Sequence, residues 1–244
     1  GDDKDRVLVK GDGSKTYFAS DAGYILNKME RGFTTLIETW GADHHGDVAR
    51  LKAIVEILGF KNQLDIILLQ FVRLMEKGEE KRMSKRAGVY VTVEELIDEV
   101  GLDVAKFFFL MRSPDSHLNF DLSLAKEQSE KNPVYYVQYA YARICSILRK
   151  AQEDGVLPLG RDWSPTKVGT PKLTYSSELD LIKQLIRLPE IIEDIAKDYQ
   201  VQRLPQYALD LVRVFHKFYE ECRVISEDKN LTQARLGLVR ATQI

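Results

Sequence analysis

The dipeptide Asn132-Pro133 separates two kinds of sequence that no single layer of structure can accommodate. After it, apolar residues recur only at helical spacing. Val134, Val137, Tyr141, Ile144 and Leu148 step by 3, 4, 3 and 4, and Leu204, Ala208, Leu211, Phe215, Phe218 and Cys222 step by 4, 3, 4, 3 and 4. Before it, short apolar blocks alternate with amphipathic segments. Asn caps a helix well, and Pro at the first helical position loses only an N–H that has no helical partner. The chain is therefore expected to be α/β over residues 1–131 and an all-α helix bundle over 132–244.

In the first part, residues 6–10 read as a short strand ended by the turn Gly11-Asp12-Gly13-Ser14. Tyr17-Phe18-Ala19-Ser20 reads as extended, and Asp21 is expected to open a helix that Gly32 stops. Leu36–Trp40 is a second strand running into Gly41-Ala42-Asp43-His44-His45-Gly46. A helix follows, with Val48, Leu51, Val55 and Leu58 on one face and Gly59 at its end. Asp65–Leu69 is nearly all apolar, the pattern of a strand buried on both faces of a parallel sheet. Thr92-Val93-Glu94-Glu95 is a capping box, with helices expected near 93–100, 103–112 and 121–131. In the second part, 132–153 is one helix and 154–176 a loop. Ser177 and Asp180 suggest a cap, Pro189 a kink, and further helices begin near Pro205 and after Thr232.

Composition excludes several classes. A net charge of −2 does not suit a protein that coats nucleic acid by bulk electrostatics. No apolar run approaches the roughly 18 residues of a membrane span, so no membrane partner is expected. Cys145 and Cys222 sit in helical patterns and read as buried thiols of a reducing, cytoplasmic compartment.

Three stretches carry candidate chemistry. Tyr17-x-x-x-Asp21 offers a phenol and a carboxylate; an ordinary helix cap is the alternative for Asp21. Gly41-Ala42-Asp43-His44-His45-Gly46 lies at a strand's carboxyl end, where open α/β sheets bind ligands. There Asp43 could accept from ribose hydroxyls and His44 could donate or accept. Adjacent histidines are poorly spaced to chelate one metal ion, and no metal site is expected. Lys81-Arg82-Met83-Ser84-Lys85-Arg86-Ala87-Gly88 reads as a cationic surface loop of the kind that closes over phosphates. On the helix after Asn132, Tyr135, Tyr139 and Arg143 centre on the face opposite the apolar stripe. They either stack on unpaired bases or are covered by a second helix.

Taken in order, Tyr17-x-x-x-Asp21, Gly-Ala-Asp-His-His-Gly, Met-Ser-Lys-Arg-Ala-Gly, Asn-Pro-Val-Tyr-Tyr-Val-Gln-Tyr-Ala and Phe-His-Lys-Phe-Tyr resemble bacterial arginyl-tRNA synthetases of class I along essentially the whole chain. Arg82-Met83-Ser84-Lys85 resembles their KMSK signature. The resemblance implies the C-terminal part of a doubly wound Rossmann-type catalytic domain (1–131) followed by a helical anticodon-binding domain (132–244). It implies that Tyr17, Asp21 and His44 hold arginine. Gly41, Asp43, His44, Met83 and Ser84 then bind ATP, and Lys85 with Arg82 acts on the phosphates. Tyr135, Tyr139 and Arg143 are the expected tRNA contacts. ATP is a substrate, expected with Mg2+, and no prosthetic group is implied. Arginine and tRNA(Arg) complete the partners.

Two departures qualify the resemblance. Arg82 replaces the first signature lysine, exchanging a point charge for a fork. The family's HIGH motif does not occur in the chain, and Gln243-Ile244 falls short of the usual final helix. The chain is thus expected to be a C-terminal half, its partner the missing N-terminal half, and to be inactive in adenylation alone. The rival reading is a non-catalytic tRNA-binding module or truncated paralogue. A cysteinyl-tRNA synthetase would need zinc ligands that these cysteines do not supply.

Overall fold

A computed structural model describes residues 5–81, 91–156 and 173–243. The chain forms two compact units, Gly1–Arg73 with Pro114–Leu118, and Leu74–Ser113 with Asn119–Ile244.

The first unit is built on a parallel strand pair. Helix α1 (Tyr17–Glu30) precedes strand β1 (Leu36–Gly41). A short 3-10 turn (Ala42–Asp47) leads into α2 (Val48–Ile57), and β2 (Leu64–Leu69) returns beside β1 in the register Leu36↔Leu64 to Gly41↔Leu69. Parallel strands need a crossover, and α2 provides it. Ile25 and Met29 of α1, Leu51 and Val55 of α2, Leu36 and Leu64 form the core, each buried side chain contributing about 1.5–3 kcal/mol. Gly59 ends the α2 segment at φ +88°, a conformation that suits a residue without Cβ.

Several expectations for this unit are corrected. Helix α1 begins four residues before Asp21, because Thr16 is the better-placed cap: its Oγ1 accepts from Ala19 N at 3.2 Å. Asp21 is in the second turn and caps nothing. Residues 6–10 make only the isolated antiparallel bridge Val9↔Lys15 around the expected turn, where Asp12 Oδ1 accepts from Ser14 N. Strand β2 is not buried on both faces. Leu69 is 44% exposed and Ile37 of β1 50%, because among the described residues α1 and α2 pack on one face of a sheet of two strands.

The second unit opens with the hairpin of β3 (Val72–Glu76) and β4 (Glu79–Glu80), of which Leu74–Glu76 and β4 lie in this unit. Lys77 and Gly78 both take positive φ, +52° and +84°, as a tight two-residue hairpin turn requires. Thr92 caps α3 (Val93–Val100) through the expected box, with Glu95 N to Thr92 Oγ1 at 3.1 Å and Thr92 N to Glu95 Oε2 at 2.8 Å. Then come α4 (Leu102–Leu110), strand β5 (Leu118–Asp121), which begins at the first unit's last residue, and α5 (Leu122–Lys126). The helix expected over 121–131 is only α5, since Asp121 spends its carboxylate capping Ser123 and Leu124 while Glu127 leaves the helical conformation.

Asn132 Oδ1 accepts from Val134 N at 3.0 Å, and its Nδ2 donates to Ala125 O and Glu127 O. It thereby starts α6 (Pro133–Glu153) where expected. Helices α7 (Ser176–Ile186), α8 (Leu188–Asp198), α9 (Arg203–Glu221) and α10 (Lys229–Thr242) follow. The buried stripe of α6 is Ala140, Ile144, Leu148 and Ala151, whose alanines admit close neighbours. It leaves Tyr141, an expected core residue, 52% exposed at its edge. Leu181, Phe215, Phe218, Leu236 and Val239 complete this core. Two helix starts also move. Tyr175, not Ser177, is the N-cap of α7: its N–H donates to Glu178, while Ser177 is buried against Cys222. Helix α10 starts at Lys229 because Asp228 caps it, which places Thr232 inside the helix.

Candidate functional site

One cavity of about 560 Å3 lies within the first unit, and the geometry of α1 and β1 explains its chemistry. At about 100° per residue, Tyr17, Asp21, Tyr24 and Lys28 share one face of α1 within roughly 60°. The first three line the cavity. Along β1, Glu38 and Trp40 point the same way, as residues i and i+2 of a strand must. Both line it too, with Gly41 and His44 beyond the strand's end and Asp47 and Arg50 at the start of α2.

The walls are held by polar contacts. Glu38 receives Lys28 Nζ on Oε1 at 2.5 Å and Trp40 Nε1 on Oε2 at 3.3 Å. Asp47 pairs with Arg50 and lies 3.6 Å from His44 Nδ1. Asp21 makes no hydrogen bond or ion pair among the described residues. Its carboxyl is pushed above the ordinary range, first by burial and then by the charges of Glu38 and Asp47. A carboxylate with no ion pair among the described residues, lining a cavity with two others and with aromatic rings, is suited to receive a planar cation. A Cβ at Gly41 would stand 2.5 Å from Asp43 Oδ1, so a side chain there would turn the exposed Asp43 carboxylate aside.

Of the residues expected at this site, Tyr17, Asp21, Gly41 and His44 share the cavity. Asp43 is not among its lining residues; it lies beside it, with Oδ2 3.9 Å from His44 Nε2. Arg82, Met83, Ser84 and Lys85 lie outside the described residues. Glu38, Trp40 and Asp47 were not singled out in the sequence. The signal of the first two, a carboxylate two residues before an aromatic on a strand, is common in ordinary sheets. Among the described residues no three His, Cys, Asp or Glu side chains converge to hold a metal ion.

The second candidate lies in the helical unit. Tyr135 and Tyr139 run nearly parallel at 15°, with centroids 6.4 Å apart. The Arg143 guanidinium sits 4.8 Å from the Tyr139 ring and 5.0 Å from the Tyr219 ring of α9. It donates to Tyr139 OH at 2.6 Å and faces His216 Nδ1 at 3.4 Å. Arginine cannot accept, so Nδ1 is the acceptor and the ring proton sits on Nε2. Burial, then the charge of Arg143, lowers the His216 pKa, which keeps the ring neutral. Helix α9 packs beside these side chains, as one of the two alternatives expects, and Tyr139 stays 45% and Tyr219 39% exposed. Two tyrosine faces around a fixed guanidinium can stack on bases and pair with their acceptors.

Comparison with known proteins adds the following. The DALR anticodon binding domain family matches residues 137–244. The arginine–tRNA ligase of Desulfitobacterium hafniense is 52% identical over the whole chain, and that of Symbiobacterium thermophilum 51% identical. In both cases the chain spans 43% of the relative's length. Among solved structures, a Campylobacter jejuni protein assigned as an arginyl-tRNA synthetase superposes over the whole chain and 52% of its own, with a TM-score of 0.84 at 35% identity. Thermus thermophilus arginyl-tRNA synthetase shares the fold, with a TM-score of 0.72 at 21% identity over 98% of this chain and 48% of its own.

Proposed function

We propose a function from one premise: the chain belongs to the arginyl-tRNA synthetase family and ends in that family's α/β part followed by a helical DALR domain. The whole protein activates arginine with ATP and transfers it to tRNA(Arg), and these residues supply part of each site. The observation that carries this reading is the Asp21 carboxylate, without an ion pair among the described residues, in a cavity shared with Tyr17, Gly41 and His44. A guanidinium presents paired N–H donors in one plane, and a carboxylate accepts them side by side. Arginine held there exposes its own carboxylate to the α-phosphorus of ATP, whose adenosine lies toward Gly41, Asp43 and His44.

Adenylation forms the bond from that carboxylate oxygen to the α-phosphorus and releases pyrophosphate. Charge grows on the departing oxygens, and a fixed cation offsets it. Lys85, supported by Arg82, takes that role, with Met83 and Ser84 meeting the adenine through their backbone. Mg2+ would accompany the ATP and supply further positive charge to offset that of the phosphates. Tyr135, Tyr139 and Arg143 meet unpaired anticodon bases. The domain boundary follows the change of character at Asn132, and the protein works in the cytoplasm; among the described residues no helix is long and apolar enough to cross a membrane.

Titration of the 244-residue chain with arginine, followed by NMR, tests the central step. Arginine is expected to bind in preference to lysine, and Asp21→Asn to weaken it at least about tenfold, as the loss of a charge-assisted pair does. Equal affinity for both amino acids, or no effect of Asp21→Asn, would sink the assignment.

A further inference from the structure

Three carboxylates line the cavity, yet their charges are not equally available. Asp47 is paired with Arg50 on the same wall, and Arg6, the other cation there, has a partner of its own. Glu38 is paired with Lys28 at 2.5 Å, both side chains less than 20% exposed. Lys28 is not itself a lining residue. Its Nζ lies 2.5 Å from Glu38 Oε1 and 4.2 Å from the centroid of the Tyr24 ring, so its ammonium is held from two sides.

We propose that Lys28 is a specificity-determining residue: by pairing with Glu38 it offsets part of that carboxylate's charge, leaves Asp21 as the lining carboxylate without an ion pair among the described residues, and sets the cavity to favour one cationic group over two. This rests on the reading of the cavity as a guanidinium site. The physical reason is a balance of charges. Without Lys28 the cavity holds two carboxylates, Asp21 and Glu38, that have no ion pair among the described residues. Their summed field then favours any ligand bringing a second positive charge over one bringing a single charge. A site for an amino acid whose ammonium is balanced by its own carboxylate has no use for that second charge. It needs protection against polyamine-like dications, which carry the same guanidinium without the carboxylate.

The test compares methylguanidinium, a monocation, with agmatine, a guanidinium-bearing dication, titrated into the 244-residue chain by NMR at low ionic strength. Lys28→Met keeps an apolar contact with Tyr24 and removes the charge. It is expected to raise the agmatine-to-methylguanidinium affinity ratio about three- to tenfold, an effect that shrinks as salt is added. Adding Glu38→Gln, which retains an acceptor for Trp40 Nε1, is expected to return the ratio to that of the parent. Structural damage at Lys28 would not be repaired by removing a second charge. If Lys28→Met does not fold, Glu38→Gln alone reads the same balance with opposite sign and lowers the ratio. A ratio within twofold of the parent in the folded single variants, or no return in the double variant, overturns the proposal. The Asp21→Asn chain separates the two levels. Methylguanidinium binding lost there with the Lys28 ratio unmoved overturns this inference alone, whereas binding unaffected by Asp21→Asn, or absent from the parent, overturns the guanidinium site with it.

Discussion

The raised pKa of Asp21 has a definite sign. Burial and the negative charges of Glu38 and Asp47 make its carboxylate less comfortable than in water, so it takes up a proton above the ordinary value of 3.8. Folding therefore favours the protonated form, and acidification through this group does not destabilise the chain. Binding behaves oppositely, because a cation needs the anion. Arginine affinity is expected to fall with decreasing pH before the chain unfolds, with a midpoint above that of an exposed aspartate, and to lose this dependence in Asp21→Asn. Titrations at several pH values, with far-UV circular dichroism as the control for folding, measure both. The position of Asp21 shows what was legible at this scale. The residue was readable as chemistry, but its place in α1 was not, because Thr16 outcompetes it as a cap and the four residues between them are helical. That shift puts Tyr17 and Asp21 one turn apart on a common face. Glu38 and Trp40 escaped notice because their importance depends on Lys28, ten residues away from Glu38 and on another element.

Elements with strong local chemistry were readable and those without it were not. The capping box of α3 and the Asn132-Pro133 start of α6 satisfy their own backbone groups, so no tertiary contact is needed to place them. The hairpin of β3 and β4 carries no sequence signal, since a two-residue strand shows no period and its turn rests on Lys77 entering a conformation more natural to Asn or Gly. The start of α7 hides a tertiary interaction. Glu178, fully buried, accepts from Tyr175 N and pairs at 2.7 Å with Arg235 of α10, which also donates to Arg223 O. Removing one partner strands a buried charge, so Arg235→Met is expected to cost about 3–5 kcal/mol. Glu178→Gln combined with it should recover part of that loss, and urea unfolding of the three variants measures the coupling.

On α6 and α9 the two kinds of side chain should separate in their response to salt. Tyr139→Ala is expected to weaken tRNA binding by about 1–3 kcal/mol without changing its salt dependence, since stacking releases no counterion. Arg143→Ala removes a charge and also the group that sits against the faces of Tyr139 and Tyr219. It should both weaken binding and lower the slope of log K against log salt if its guanidinium meets a phosphate. With the slope unchanged, the guanidinium meets a base. Equal binding by all three proteins would remove this face from the tRNA site.

At the scale of the molecule, sequence resolved the passage from α/β to all-α because helical and strand periods differ, but it overstated the burial of β2. An apolar run looks the same whether both faces are covered or one, and here α1 and α2 cover one face of a two-stranded sheet. The chain spans 43% of the length of its relatives and contains no HIGH sequence. Adenylation needs arginine, the α-phosphorus and cations on the departing pyrophosphate held together, and positioning of this kind accounts for several kcal/mol of the barrier. The first unit offers the cavity proposed to take a guanidinium, and the sequence offers Lys85 and Arg82. A lysine acting on only one side of a triphosphate leaves most of the developing charge to water. The 244-residue chain alone is therefore expected to show no arginine-dependent exchange of pyrophosphate into ATP above a no-protein control, even with tRNA present, while still binding arginine and tRNA. Exchange clearly above that control would mean that these residues suffice for activation, and the division of catalytic groups argued here would have to be abandoned.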